Sequence, residues 1–252
     1  MYTAVPERTP PAVTPWEATE KRLWMSDTAL LMIDMQNSYL ADDGVRDALG
    51  WPPIWRLAET ITACAELLAA ARERQAPVIY SRSVGSAAGP LGDNPRFARL
   101  MQHRAGRLPQ VSAEQQEWKR QIIDAVAPEP GDVVLDKTQA SFFDYTELEP
   151  LLRNLAVSRL IVAGLQTNVC VEATVRAGLA HNFEVAVPDD AVSTDGPDLH
   201  HAALDSMRVL YTEIAPWREL LAPDAPWDRA FTTPDYGRNP HYWTETPSNT
   251  ER

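Results

Sequence analysis

Short apolar runs recur along this chain, each stopping abruptly at polar or charged residues, and longer stretches with apolar positions every three or four residues lie between them. The runs are Thr28 to Asp34 (TALLMID), Pro77 to Arg82 (PVIYSR), Asp132 to Leu135 (DVVL), Arg159 to Ala163 (RLIVA), Glu184 to Val187 (EVAV) and Arg208 to Ile214 (RVLYTEI). They are rich in residues that favour pleated backbone, and they are apolar at consecutive rather than alternate positions, as strands covered on both faces must be. Helical period is clearest over Ile54 to Gln75, where Leu57, Ile61, Cys64, Leu67, Leu68 and Ala71 share a face. The regions Val111 to Val126, Thr146 to Leu155, Val171 to His181 and Pro197 to Met207 also favour helix. Strands alternating with helices predict parallel βαβ units, and so a Rossmann-like α/β fold of three layers, α/β/α, around a six-stranded parallel sheet.

The pattern fails at both ends and once in the middle. Residues 1–23 hold Pro6, Pro10, Pro11 and Pro15 with few large aliphatics and are expected to form an extended arm. Residues 222–252 are also Pro-rich but carry Trp227, Phe231, Tyr236, Tyr242 and Trp243, an apolar load that predicts an arm packed on its own domain or on a neighbouring subunit. One domain over 24–221 remains. Within it, Ser83 to Gly106 is too long for an ordinary connection and predicts a lid or substrate loop, with room for a short helix at Asn94 to Gln102.

Composition narrows the function classes. The 252 residues suffice for one full core. A net charge of -12 repels phosphate backbones and anionic membrane surfaces, so neither nucleic acid nor membrane is an expected partner. No apolar run approaches the roughly 18 residues that span a bilayer, and no basic segment leads into an apolar core at the N-terminus. Two cysteines, Cys64 and Cys170, are too few for a disulfide framework and lack metal-ligand spacing. A cytoplasmic protein is expected.

Three residues stand where chemistry gathers in open parallel sheets, at the ends of strands. Asp34 closes the first run; a helix cap is the bland alternative. Lys137 follows the third run among apolar neighbours, where a solvated surface lysine is the alternative. Cys170 follows the fourth run, Gly164 and a polar turn, and opens a helix. A lone cysteine is most often a small buried hydrophobe, but a helix N-terminus favours thiolate over thiol, and its N–H groups can receive an oxyanion. Together they supply an acid–base group, a cation and a nucleophile.

The runs ALLMIDMQNSY, PGDVVLDKTQASFFDYTELEPLLR and LIVAGLQTNVCVEATVRAGLAHNFEVAVPDDAVST resemble the isochorismatase-like superfamily of cysteine hydrolases over Thr28 to Leu221. Gly-x-x-Thr-x-x-Cys-Val at Gly164 to Val171, followed by Asp189-Asp190-Ala191, is the most specific part. MQN after Asp34, TNVCVE around Cys170 and Trp118 ahead of PGD resemble the ureidoacrylate amidohydrolase branch. The resemblance implies a strand order of 3-2-1-4-5-6 and Asp34, Lys137 and Cys170 as catalytic residues. It also implies a cis Leu165–Gln166 peptide, an oxyanion hole formed by the Gln166 and Cys170 N–H groups, no cofactor, and a homo-oligomer, dimer or tetramer.

The same comparison marks departures. The nicotinamidase branch carries an Asp-x-His pair after the second strand, but Ser81, Arg82, Ser83 and Val84 stand here, so no metal is expected. The branch that cleaves the vinyl ether of isochorismate lacks the cysteine. After Lys137 the ureidoacrylate branch tends to have an arginine, where this chain has Gln139, then Ala140, Ser141 and Phe142. That loss opens neutral, biuret-like ureides beside anionic ones, unless Arg82 points inward and restores the cation. Gln139, Ser141 and Phe142 are the remaining pocket candidates. Trp118 either walls the pocket or anchors its helix, and Gln36 either orients a carboxamide or caps a turn. Maleamate-type, N-carbamoyl amino acid and nicotinamide-like amides are alternative substrates, and an inactive binding protein on the same fold is the non-enzyme alternative. A Cys–His enzyme would need His200 or His201, of which at most one can face inward. A dinucleotide site is excluded, since no Gly-x-Gly-x-x-Gly follows any strand.

Overall fold

The apolar runs become strands β1 Thr28–Ile33, β2 Val78–Ser83, β3 Val133–Lys137, β4 Arg159–Leu165, β5 Glu184–Pro188, β6 Val192–Ser193 and β7 Glu213–Ala215. Between them run α1 Asn37–Leu40, α2 Leu57–Glu73, α3 Pro95–Ala105, α4 Ala113–Arg120, α5 Leu148–Asn154, α6 Glu172–Ala180, α7 Pro197–Arg208 and α8 Trp217–Leu220. The computed structural model describes residues 27–40, 46, 50–85, 94–105 and 112–222. The arms expected over 1–23 and 222–252 lie outside these residues apart from Ala222, as does most of the connection between β2 and α3.

The sheet is parallel and runs β3-β2-β1-β4-β5-β7, with β6 paired to β4 off that path. The order is the expected one, but among the described residues the strands number seven rather than six. The addition is β6, two residues too short to register as an apolar run, which pairs with Gly164 and Leu165. The last run also divides differently. Leu204 and Met207 face the core at helical spacing while Val209 and Tyr211 are exposed, so α7 continues to Arg208 and only Glu213–Ala215 joins the sheet.

β1 is buried along its whole length, and its side chains alternate between two cores. Leu30 and Met32 pack with Tyr80, Ala163 and the Cys64, Leu67, Leu68 and Ala71 face of α2. Ala29, Leu31 and Ile33 pack with Ile79, Val162, Leu148, Val175 and Leu204, beneath α5, α6 and α7. Each buried Leu, Ile, Val or Met side chain among these contributes about 1.5–3 kcal/mol by leaving water. The helix expected over Val111 to Val126 stops at Arg120. Its start is secured by Ser112 and Gln115 in a reciprocal capping box, and it ends where Ile122 leaves to bridge Gln36.

Gly164 sets how closely β1 and β4 approach at the end where the strands open. It pairs with Ile33 at φ +108°, and a Cβ there would lie 2.2 Å from the Ile33 carbonyl oxygen. Backbone cannot yield as a side-chain tip can. Gly164→Ala is therefore expected to cost about 3 kcal/mol or more in urea unfolding. Gly178→Ala, whose Cβ would meet side chains rather than backbone, Leu160 and Val185 at 3.2 Å and Phe143 at 3.6 Å, should stay within about 1 kcal/mol of the unaltered chain. Equal costs at the two positions would show that the β1–β4 approach is not the constraint.

Candidate functional site

The open end of the sheet collects the polar groups. Asp34 follows β1 with φ +50°, a conformation that few residues other than Gly, Asn and Asp adopt readily. This turn swings its carboxylate across β2, where the Ser81 hydroxyl donates to Oδ1 at 2.6 Å and accepts from the Asp34 N–H at 3.1 Å. Lys137 ends β3 on the same face as Ser83, its register partner. Its Nζ lies 2.8 Å from Asp34 Oδ2 and donates to the Gln139 carbonyl at 3.0 Å and to Cys170 Sγ at 3.3 Å. Both charged side chains are almost wholly buried.

Cys170 sits within a π-helical turn, Thr167–Val171, that joins β4 to α6. The turn is anchored at its base, where the Gln166 carbonyl accepts from the N–H groups of Val169 and Val171 at 3.0 and 3.1 Å. The Leu165–Gln166 peptide is cis.

Burial and the negative charge of Asp34 push the Cys170 thiol up to about 12, against the pull of Lys137. A preformed thiolate, which a helix start would favour, is therefore not the resting state: the thiol keeps its proton at neutral pH beside a carboxylate. For Lys137 burial works against the charge, but Asp34 and then Cys170 outweigh it and its pKa is raised. Asp34 Oδ2 makes no aligned hydrogen bond, and the ammonium holds it by charge.

The other candidates read from the sequence are placed differently. Gln36 is fully buried and spent on backbone: Nε2 donates to the Ser83 and Arg120 carbonyls at 3.1 and 3.0 Å, and Oε1 accepts from the Ser83 N–H at 2.7 Å. Arg82 lies on the face of β2 opposite Ser81 and Ser83, in a two-pronged pair with Asp136 at 2.5 and 3.1 Å, so its charge is engaged away from the thiol. Trp118 is 43% exposed, and its carbonyl accepts from Asn37 Nδ2, which ties α4 to α1. Gln139 holds Lys137 through its carbonyl. Phe142 is buried in the core, with its N–H donated to Thr174 Oγ1 at 3.0 Å, while the Ser141 hydroxyl accepts from the Phe143 N–H.

Two residues at the site were not singled out in the sequence. Ser81 looked like interior strand, and its role shows only once β2 is set beside β1. Tyr39, five residues beyond Asp34 on the short α1, has its phenol pKa raised by burial and then by the charge of Asp34, while a hydrogen bond with Ser83 opposes the shift. Its spacing from Asp34 was the available signal. Among the described residues no group of three or more His, Cys, Asp or Glu side chains is arranged to hold a metal ion. None of the helices in those residues is long and apolar enough to cross a membrane.

The isochorismatase domain model matches residues 28–219 of this chain. The chain belongs to the isochorismatase family. It is 33% identical over 184 residues to the ureidoacrylate amidohydrolase of Pantoea ananatis, covering 70% of this chain and 73% of that protein. To the ureidoacrylate amidohydrolase of Yersinia enterocolitica it is 28% identical over 212 residues, 79% of this chain and 91% of the other. A cysteine hydrolase from Pseudomonas syringae pv. phaseolicola superposes with a TM-score of 0.65 at 27% identity, over 77% of this chain and 91% of the other. N-carbamoylsarcosine amidase from Thermoplasma acidophilum, at 21% identity and a TM-score of 0.58 over 78% and 99% of the two chains, shares the fold.

The histidines of this family member divide as their adjacency requires. His201 is exposed, whereas His200 is buried against Trp55 and turns Nδ1 to the Thr167 hydroxyl at 3.0 Å. Burial, then the charges of His201, Arg56 and Arg208, lower its pKa to about 4. Because the unfolded chain holds this proton more tightly, the stability it confers is complete above pH 6.5 and is lost as pH falls to about 4. His200→Gln is expected to remove about 2–3 kcal/mol of that acid dependence in denaturant titrations at pH 7 and pH 4.5. Identical pH slopes for the two chains would contradict the burial argument.

Proposed function

We propose that this chain is a cysteine amidohydrolase that cleaves a carbon–nitrogen bond of a small ureide or amide through a thioester, with Cys170 as nucleophile, Asp34 as acid–base group and Lys137 as the cation that holds them. The observation that carries it is the meeting of a carboxylate, an ammonium and a thiol within 2.8–3.3 Å of the ammonium, buried at the open end of the sheet. The class, a hydrolase of carbon–nitrogen bonds other than peptide bonds, also rests on family membership and on relatives named as amidohydrolases.

The chemistry follows from the protonation states. As the sulfur attacks the substrate carbonyl carbon, the thiol proton passes to Asp34 Oδ2, the oxygen that Ser81 leaves free. Charge moves from the carboxylate to the carbonyl oxygen, which the N–H groups of Gln166 and Cys170 would receive. Protonated Asp34 then gives its proton to the departing nitrogen, leaving a thioester and ammonia or an amine. Water, deprotonated by Asp34, attacks the thioester and releases the acid and the thiol. Lys137 remains charged throughout and offsets the negative charge wherever it resides.

For the substrate, the relatives named as ureidoacrylate amidohydrolases favour a ureidoacrylate-like compound. A neutral ureide of the biuret type is the second reading, because the Arg82 guanidinium is turned to Asp136 and Gln139 stands where the branch has its arginine.

Ammonia release from a panel of ureides and primary amides tests the activity, and Cys170→Ala should lower it by at least about 10³-fold. Asp34→Asn should lower hydrolysis by about 10²–10⁴-fold, because the group that takes the thiol proton and returns it to the leaving nitrogen is gone. Hydrolysis within about twofold of the unaltered chain in that variant would overturn the role given to Asp34. Activity should also persist above pH 9, where an ordinary thiol would be ionised, and decline only as pH approaches 12.

A further inference from the structure

β6 is the element that the apolar pattern did not announce, and it is stitched to both sides of the site. Towards the nucleophile turn, Gly164 and Leu165 pair with Val192 and Ser193, the Thr194 hydroxyl donates to Asn168 Oδ1 at 2.6 Å, and Gln166 Nε2 donates to Asp195 Oδ1 at 2.7 Å. On the other side, the Thr194 carbonyl accepts from the Trp55 N–H at 2.8 Å, and the Ser193 hydroxyl donates to the Trp55 carbonyl. Arg46 completes the bridge. Its Nη2 lies 2.5 Å from Asp195 Oδ1, Nε donates to the Pro52 carbonyl at 2.9 Å, and its guanidinium stands over the Trp51 ring.

We propose that Asp195, with Arg46 as its counter-ion, is a positioning residue for the oxyanion hole, fixing Gln166 through its carboxamide; this rests on the function proposed above. Gln166 is held on its other sides by the pairing of Leu165 and by the two N–H groups that its carbonyl accepts. The remaining freedom is rotation of the long side chain and the accompanying tilt of its peptide, and the Asp195 carboxylate removes it. The pair is about three-quarters buried, with side-chain exposures of 20% for Arg46 and 27% for Asp195, so the carboxylate is oriented by a partner rather than by water. An oxyanion donor contributes only if it is aimed before charge develops, and loosening one is expected to cost less than the 10²–10³-fold of deleting it.

The test uses the full chain and the amide or ureide from which the unaltered chain releases ammonia. Asp195→Ala should lower kcat by about 5- to 50-fold with KM within about twofold. Alkylation of Cys170 by iodoacetamide, which builds no oxyanion, should proceed at the unaltered rate. Asp195→Asn keeps an acceptor for Gln166 but loses the charge that holds Arg46, and should fall between the two chains; it serves alone if the alanine variant does not fold. Arg46→Lys should recover most of the kcat lost in Arg46→Ala. An unchanged kcat in both Asp195 variants, or a fall in alkylation matching the fall in kcat, overturns the inference while leaving the Cys170 mechanism standing. No hydrolysis of any panel member by the unaltered chain overturns both.

Discussion

The buried contact between Lys137 and Asp34 is the constraint around which the end of the sheet is arranged. Removing two charges from water costs several kcal/mol for each, and their attraction repays this only where the remaining polar atoms find partners. Here the Gln139 carbonyl and Cys170 sulfur serve the ammonium, and the Ser81 hydroxyl serves one carboxylate oxygen. The second oxygen is left to charge alone. In the proposed reaction that incompletely satisfied atom is the one that takes the proton, so the weakest point in the electrostatics is also the reactive one. Burial and then Asp34 raise the pKa of the thiol, whereas Asp34 and then Cys170 raise that of Lys137 against the opposing effect of burial.

Holding three such groups together is a task for backbone. β1, β2, β3 and β4 present their ends at fixed spacing because the parallel ladders are in register, and the close approach of β1 to β4 depends on Gly164 having no side chain. Gln36 then ties the end of β1 to the end of β2 and to the end of α4 with three hydrogen bonds. The Gln36 carboxamide acts as a rivet. The β6 segment does the same on the far side, between the Cys170 turn and Trp55. The site lies between these two sets of ties.

Much of this was legible in the residues, because burial on both faces leaves an unbroken apolar run and a polar residue ending such a run is conspicuous. Asp34 and Lys137 stand out in that way and Cys170 by its place at the start of a helix, and the structure brings the three together. What stayed hidden depends on contacts between distant segments. Ser81 reads as interior strand until β2 lies beside β1, and β6 is too short to carry a pattern. Arg82 reads as a cation near the site, yet period-two alternation along β2 turns it to the opposite face. Gln36 and Phe142 looked like pocket residues because they adjoin the site in sequence, whereas one is spent on backbone and the other fills the core.

The alternation along β3 makes its alignment an electrical matter as well as a steric one. Lys137 and Asp136 are neighbours in the chain but lie on opposite faces of the sheet, one beside the thiol and the other at the exposed pair with Arg82. A slip of the strand by a single residue would exchange them, placing an anion against Asp34 in a buried site and leaving the cation to confront Arg82 outside. Two repulsions would replace two attractions at once. The buried charges of the site thus also act as a key for the alignment of the strand that carries one of them, rejecting the nearest misfolded neighbour by its polarity.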